Sequence, residues 1–156
     1  MLIQQVKDIT TVNQGIIIQG CNSVGRMGSG VAKAIRNKWP QVFLPYHHFC
    51  STIDKNDRQS ALGVVVFVEI TPTLIIANGI TQIFYGADGK RYANLDAIHK
   101  VLYTVGNHSV NSGMLPIYLP KIGSGLGGLD WDNEVLPIVE QFAYDMPDID
   151  IHVCSQ

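Results

Sequence analysis

The chain has 156 residues, 46% of them apolar, and a formal charge of −2 at neutral pH, the profile of one domain able to bury a sizeable core. No stretch approaches the roughly 18 consecutive apolar residues of a membrane span, and the opening Met1-Leu2-Ile3-Gln4-Gln5-Val6-Lys7 lacks the basic and long apolar regions of a signal peptide. The near-neutral balance implies no dominant nucleic-acid footprint, and a cytoplasmic protein without membrane contact is the expectation.

Taken in chain order, Leu2 to Val6 reads as an edge strand. Gly15 to Gln19 is nearly continuous in β-branched residues, as in strands buried on both faces. A glycine-rich loop, Gly20 to Gly30, follows it and opens a helix at Ser29-Gly30 that carries Val31, Ala34 and Ile35 until Pro40 stops it. Leu62 to Val68 is a second buried strand, and Thr73 to Ala77 pairs back on it as a hairpin. A helix over Asn94 to Gly106 places Leu95, Ile98, Leu102 and Val105 on one stripe. Met114 to Leu119 is a strand leading into a second glycine-rich loop, Lys121 to Gly128. The last helix carries Val135, Ile138, Val139 and Phe142, and Pro137 within that pattern requires a late start. Asp132 or Asn133 is then the expected N-cap, with Asp130-Trp131 in the loop and Trp131 as a core plug. Ile149 to Val153 closes the set. Strands alternating with helices predict a single α/β domain over residues 1–156 with a mixed sheet.

Cys21, Cys50 and Cys154 are odd in number and widely separated, which fits neither a disulfide framework nor a zinc knuckle. Buried thiols in a reducing compartment are the expectation. His47 and His48 are adjacent, so their side chains diverge in regular structure, and no metal site or cofactor is read.

The two glycine loops carry the chemistry. Each lies between an apolar strand and a helix, where unpaired N–H groups and a partial positive charge favour an anion. Glycine adds close backbone approach, and two such loops suggest a clamp for a diphosphate. Gly123-Ser124-Gly125-Leu126-Gly127-Gly128 satisfies G-x-G-x-x-G, with Asp148 and Asp150 about 20 residues on. Only one strand remains after it, however, where a dinucleotide fold needs a βαβαβ unit. The first loop fails as a Walker motif, because Val31-Ala32 stand where Lys and Ser or Thr are required after Gly25 and Gly30.

Val6 to Thr11, Gly20-Cys21-Asn22-Ser23, Arg26 to Ala32 and Pro120 to Trp131 together, over nearly the whole chain, resemble a macrodomain. They are most similar to the branch of yeast-type ADP-ribose 1''-phosphate phosphatases and terminal ADP-ribose glycohydrolases. The resemblance implies a three-layer α/β/α fold with a central mixed sheet and an ADP-ribose cleft. In that cleft Asp8 takes the adenine amine and Ile9 offers a backbone N–H beside the ring. Asn22 faces the distal ribose and is the one catalytic candidate. Gly28, Ser29, Gly30 and Val31 cradle one phosphate, while Ile122, Gly123, Ser124, Gly125, Leu126 and Gly127 take the rest, and Cys21 touches the ligand from within the first loop. Arg26, Asn78, Gln82 and Tyr85 are candidate distal-ribose contacts, the last three because their segment leaves a strand at the same sheet end. An exposed hairpin around the Asp88-Gly89 turn is the competing reading of that segment.

Three devices of related hydrolases are missing. Ala32 stands where an Asp follows the first loop's Gly-Val, Gln82 follows Ile80-Thr81 where a Lys is used, and Gly127 occupies the position of the partner Asp. A lysine-based covalent route is therefore disfavoured. The resemblance leaves removal of phosphate from ADP-ribose 1''-phosphate as the leading activity. A reader that binds ADP-ribose without turnover, and a glycohydrolase with relocated catalytic residues, are the alternatives.

Overall fold

A computed structural model describes residues 1–156. Its organising element is strand β2 (Gly15–Asn22), whose side chains alternate between two cores. Ile16 and Ile18 enter one, Ile17 and Cys21 the other, so the strand is apolar on both faces as its sequence predicts. Each fully buried isoleucine there stabilises the fold by roughly 1.5–3 kcal/mol of transfer energy.

The remaining strands are β1 (Leu2–Val6), β3 (Val65–Thr71), β4 (Leu74–Gln82), β5 (Ile117–Leu119) and β6 (Ile151–Ser155). They form a six-stranded sheet in the order β1-β6-β5-β2-β4-β3. β1 is an edge strand, and every pairing is parallel except the β3–β4 hairpin. Helices α1 (Gly30–Lys38) and α2 (Phe43–Ser51) supply Ile35, Tyr46 and Cys50 to the core that contains Ile17, Ile76 and Ile80. Helices α3 (Leu95–Asn111) and α4 (Leu136–Asp145) supply Ile98, Leu102, Val139 and Phe142 to the core on the opposite face. The result is three layers around a mixed sheet. No helix is long and apolar enough to cross a membrane.

Several boundaries differ from the expectation. In α1 only Ile35 is buried, whereas Val31 and Ala34 face outward, because the helix opens at the rim of the sheet. Pro40 does stop α1, but the chain restarts through a short turn, Pro40–Val42, into the unanticipated α2. That helix is apolar around much of its circumference and contains Pro45, so it offers no clean stripe. α3 runs on past Gly106, whose missing side chain admits the Phe142 ring.

The cap of the last helix also moves. Asp130 Oδ1 accepts from the Asn133 N–H at 3.2 Å, and a π-type turn, Trp131–Val135, runs directly into α4. Asp130 is therefore the N-cap, not Asp132 or Asn133, and Trp131 lies in the helical path rather than in the loop. Pro137 falls in the first turn of α4, where its lacking N–H is harmless. Trp131 is buried in the α3–α4 core.

Candidate functional site

Because β1, β5, β2 and β4 run parallel, their C-terminal ends share one edge of the sheet. The segments leaving them lie in the same order: Asp8-Ile9 after β1, the second glycine loop after β5, the first after β2, and Ile83–Ala93 after β4. Chain ends at the carboxyl side of parallel strands are where α/β folds place ligands.

The first loop is built on Asn22. Its Oδ1 accepts from Val24 N at 3.1 Å and Arg26 N at 3.2 Å, and its Nδ2 donates to Arg26 O at 2.9 Å. The Tyr46 hydroxyl, from α2, lies 2.6 Å from Asn22 O and 2.9 Å from Asn22 Oδ1. His47 Nδ1 meets Gly25 O at 3.0 Å, and Arg58 Nη1 donates to Ser23 O at 3.2 Å. Asn22 thus holds the loop's shape, with one Nδ2 hydrogen left over for a ligand. Tyr46, His47 and Arg58 are structural supports that the sequence reading missed. The buried Tyr46 and Cys50, an i, i+4 pair on one face of α2, were the available signal.

Beyond these supports the backbone opens. The N–H groups of Gly28, Ser29, Gly30, Val31 and Ala32 donate to no protein acceptor, and Ser29 makes no side-chain cap at the start of α1. A Cβ placed on Gly28 or Gly30 would meet nothing within 4 Å. Gly30 holds φ +59°, a value that side chains resist. Arg26 is exposed beside this run.

The second loop repeats the pattern. A short turn, Gly125–Gly127, leaves the N–H groups of Gly123, Gly125, Leu126 and Gly127 without protein acceptors. Gly125, at φ +66°, has open space where a Cβ would stand, and Leu126 is exposed at the tip. Gly123 and Gly128 are closed instead: their Cβ positions fall 2.8 Å from Ile98 Cδ1 and 2.4 Å from Lys90 O. Ile122 is buried beneath the loop, and the Ser124 hydroxyl donates to Lys121 O.

At the β1 end, Asp8 Oδ1 accepts from Thr10 N at 2.9 Å and Thr10 Oγ1 at 2.8 Å, so the carboxylate caps a short turn. Those bonds hold it below the usual carboxylate range. The N–H of the buried Ile9 has no protein acceptor. At the β4 end, Gln82 approaches the second loop at Gly127 while its Nε2 donates to Phe84 O at 2.7 Å. Tyr85 is exposed on the following segment, which is not a hairpin ladder but an open excursion closed by a single bridge, Gln82 to Ala93. The backbone N–H groups of Tyr92 and Ala93 donate to Gly127 O at 2.9 and 3.0 Å.

Asn78 does not join this group. It is fully buried, its Oδ1 accepts from Gln19 Nε2 at 2.6 Å and its Nδ2 donates to Val42 O at 3.4 Å. Its register opposite Gln19 points it into the α1–α2 layer, well before the strand end, so the expected ribose contact is withdrawn. Cys21 is likewise inside the core, and burial pushes its thiol far up, leaving it protonated and inert.

Three further carboxylates around the edge are engaged by protein donors. Asp130 is held low by Asn133, Glu134 by the Asp130 N–H and Arg91, and Asp88 by the Tyr92 hydroxyl and the Lys90 N–H. None is desolvated into the raised range of a general acid. No group of three His, Cys, Asp or Glu side chains converges as a metal site.

Comparison with known proteins agrees with the geometry. The chain is 26% identical over 139 residues to an ADP-ribose 1''-phosphate phosphatase of Debaryomyces hansenii, covering 75% of this chain and 77% of that protein. It is 26% identical over 148 residues to a DNA ADP-ribosyl glycohydrolase of Mycobacterium tuberculosis; the match takes in 92% of this chain but spans only 39% of that protein's length. The structure superposes on the macrodomain of Mycobacterium tuberculosis DarG with a TM-score of 0.80 at 20% identity, over 100% of this chain and 98% of that one. The family model of the Macro domain matches residues 18–138, which take in both glycine loops and strands β3, β4 and β5: the chain belongs to the macrodomain family.

Proposed function

We propose that the chain binds ADP-ribose along the strand ends and removes the terminal phosphate from ADP-ribose 1''-phosphate. One observation carries the binding: two neighbouring loops present runs of backbone N–H groups that no protein atom accepts, beside glycines whose side-chain positions are open. Such donors suit the oxygens of a diphosphate. In this reading the adenine lies at Asp8 and Ile9, the diphosphate between the loops, and the distal ribose near the spare Nδ2 hydrogen of Asn22, Arg26 and Gln82. Donors aimed at the transferring phosphoryl group would stabilise its charge while water attacks phosphorus and the ribose oxygen leaves. The yeast relative's name and its matched length support the reaction.

A second reading, a binder without turnover, is favoured by Asp8, Asp88, Asp130 and Glu134, each already tied to a protein donor. A phosphate-release assay on ADP-ribose 1''-phosphate, run beside calorimetry with ADP-ribose, separates the two. Phosphate release with ADP-ribose as product is expected. Tight ADP-ribose binding without release leaves the reader, and absence of binding ends both readings.

A further inference from the structure

The outer strands of the sheet, β1 and β3, each have one free edge. β3 reads Val-Val-Phe-Val-Glu-Ile-Thr, seven residues without the proline or lysine that usually blunts an exposed edge. Its one irregularity falls after Glu69. We infer that β3 is a self-association edge: two copies of this chain pair β3 to β3, antiparallel, about a two-fold axis at Phe67. The site at the strand ends takes no part in this pairing.

The phase of the hairpin decides which backbone groups are free. The Ile80 N–H donates to Val64 O at 2.8 Å, which marks a hydrogen-bonded position of the β3–β4 ladder. Such positions recur every second residue, so Val66 and Val68, opposite Asn78 and Ile76, turn their backbone groups toward β4. Val65, Phe67 and Glu69 turn theirs outward, and no backbone group elsewhere in the chain takes them up. In a pairing centred on Phe67, that residue meets Phe67 of the second copy, and Val65 meets Glu69 of the second copy. Every outward residue then faces another, each pair exchanging both of its N–H···O bonds. Moving the centre by one residue leaves one outward residue of each copy unmatched.

The charges select the same register. Val65, Phe67 and Glu69 share the sheet face that lies under α3. Val65 and Phe67 pack toward the core there, and His108 of α3 stacks on the Phe67 ring with centroids 4.1 Å apart. Lys100, also on α3, lies across Gly63, whose Cβ position falls 2.7 Å from Lys100 Cδ. A two-fold perpendicular to the sheet keeps this face common to both copies. It sets Glu69 of the second copy opposite Val65, two residues along from Gly63 and within reach of the Lys100 ammonium. The symmetry repeats the contact on the other side of the axis. Within one chain Glu69 and Lys100 are both exposed, and neither belongs to an ion pair. The register that completes the backbone bonding is thus the one that brings these opposite charges together.

The β1 edge has no such match. It is five residues, Leu-Ile-Gln-Gln-Val, and carries no charge to set a register. Because the two-fold reverses strand direction, the glycine-loop edges of the two copies point opposite ways and neither is covered.

The test is sedimentation velocity on the full chain from about 1 to 200 μM, with amide hydrogen exchange at both ends of that range. A monomer–dimer equilibrium is expected, with exchange at Val65, Phe67 and Glu69 slowed as the dimer fills. Glu69→Lys or Lys100→Glu alone sets like charges together and raises the dissociation constant about tenfold. The two changes combined restore it to within about threefold. Both side chains are exposed, and equal urea midpoints check that the variants keep the fold. A monomer throughout overturns the proposal, as does a dimer whose slowed amides lie in β1. A double variant as weak as the singles, or singles as tight as the parent, also overturns it. A monomer whose β3 amides are protected only by an added extended peptide gives the edge to another occupant and ends self-pairing.

Discussion

Gly28 and Gly79 are the same letter with opposite duties. A side chain on Gly28 would enter open space beside the unpaired N–H groups, whereas a Cβ on Gly79 would stand 2.5 Å from Cγ1 of the buried Val101. Gly28→Val is therefore expected to lower ADP-ribose affinity tenfold or more and to change stability by no more than about 0.5 kcal/mol. Gly79→Ala is expected to cost about 1–3 kcal/mol through overpacking and to reduce binding only as the fold loosens. Calorimetry and urea unfolding of both variants check the contrast; equal signatures would show that Gly28 is merely a linker. The loops themselves were legible, since glycine clusters after apolar strands have few other uses. Which face of each side chain meets ligand was not. Asn78 looked like a site residue because it follows a strand core, yet its register turned it inward against Gln19. Asn22 looked ready for a ribose, and the structure gives three of its hydrogen bonds to its own loop.

At the scale of elements, the second loop and α4 are joined through Asp130. Its carboxyl lies below the ordinary 3.8 because Asn133 donates to both its oxygens. A carboxylate held low in the fold contributes stability fully above its ordinary value, and loses it as pH falls through the lower folded value. Asp130→Ala is expected to lower the urea midpoint at pH 7, with the gap to the parent shrinking below about pH 3.8. A gap that stayed constant down to pH 3 would remove Asp130 from the capping role. Asp132 and Asn133 are equally good caps by residue type, so only the backbone, through the turn at Trp131–Val135, decides between them. Helix α2 escaped for a related reason. Its buried positions, Tyr46 and Cys50, are few, and exposed Leu44 and Pro45 dilute the stripe.

For the molecule as a whole, the three layers follow from strands that read as apolar on both faces, a pattern with only one economical solution. What the pattern cannot reveal is how completely each residue is enclosed. Cys21, Cys50 and Cys154 all lie inside, and burial raises each thiol. An aromatic disulfide reagent is expected to label none of them at the rate of a free thiol under native conditions, and all three once the fold is unfolded. Fast native labelling of Cys21 or Cys50 would mean that the α1–α2 layer opens locally beneath the first loop.

The carbonyl of Gly127 accepts two successive N–H groups from Tyr92 and Ala93. The excursion that carries Phe84 and Arg91 is thereby moored to the same few atoms that shape the second glycine loop. Stilling one stills the other, so a ligand long enough to reach both regions loses the mobility of that mooring once rather than twice. The two halves of such a ligand would then bind together more strongly than their separate affinities imply, through a single shared oxygen that touches neither.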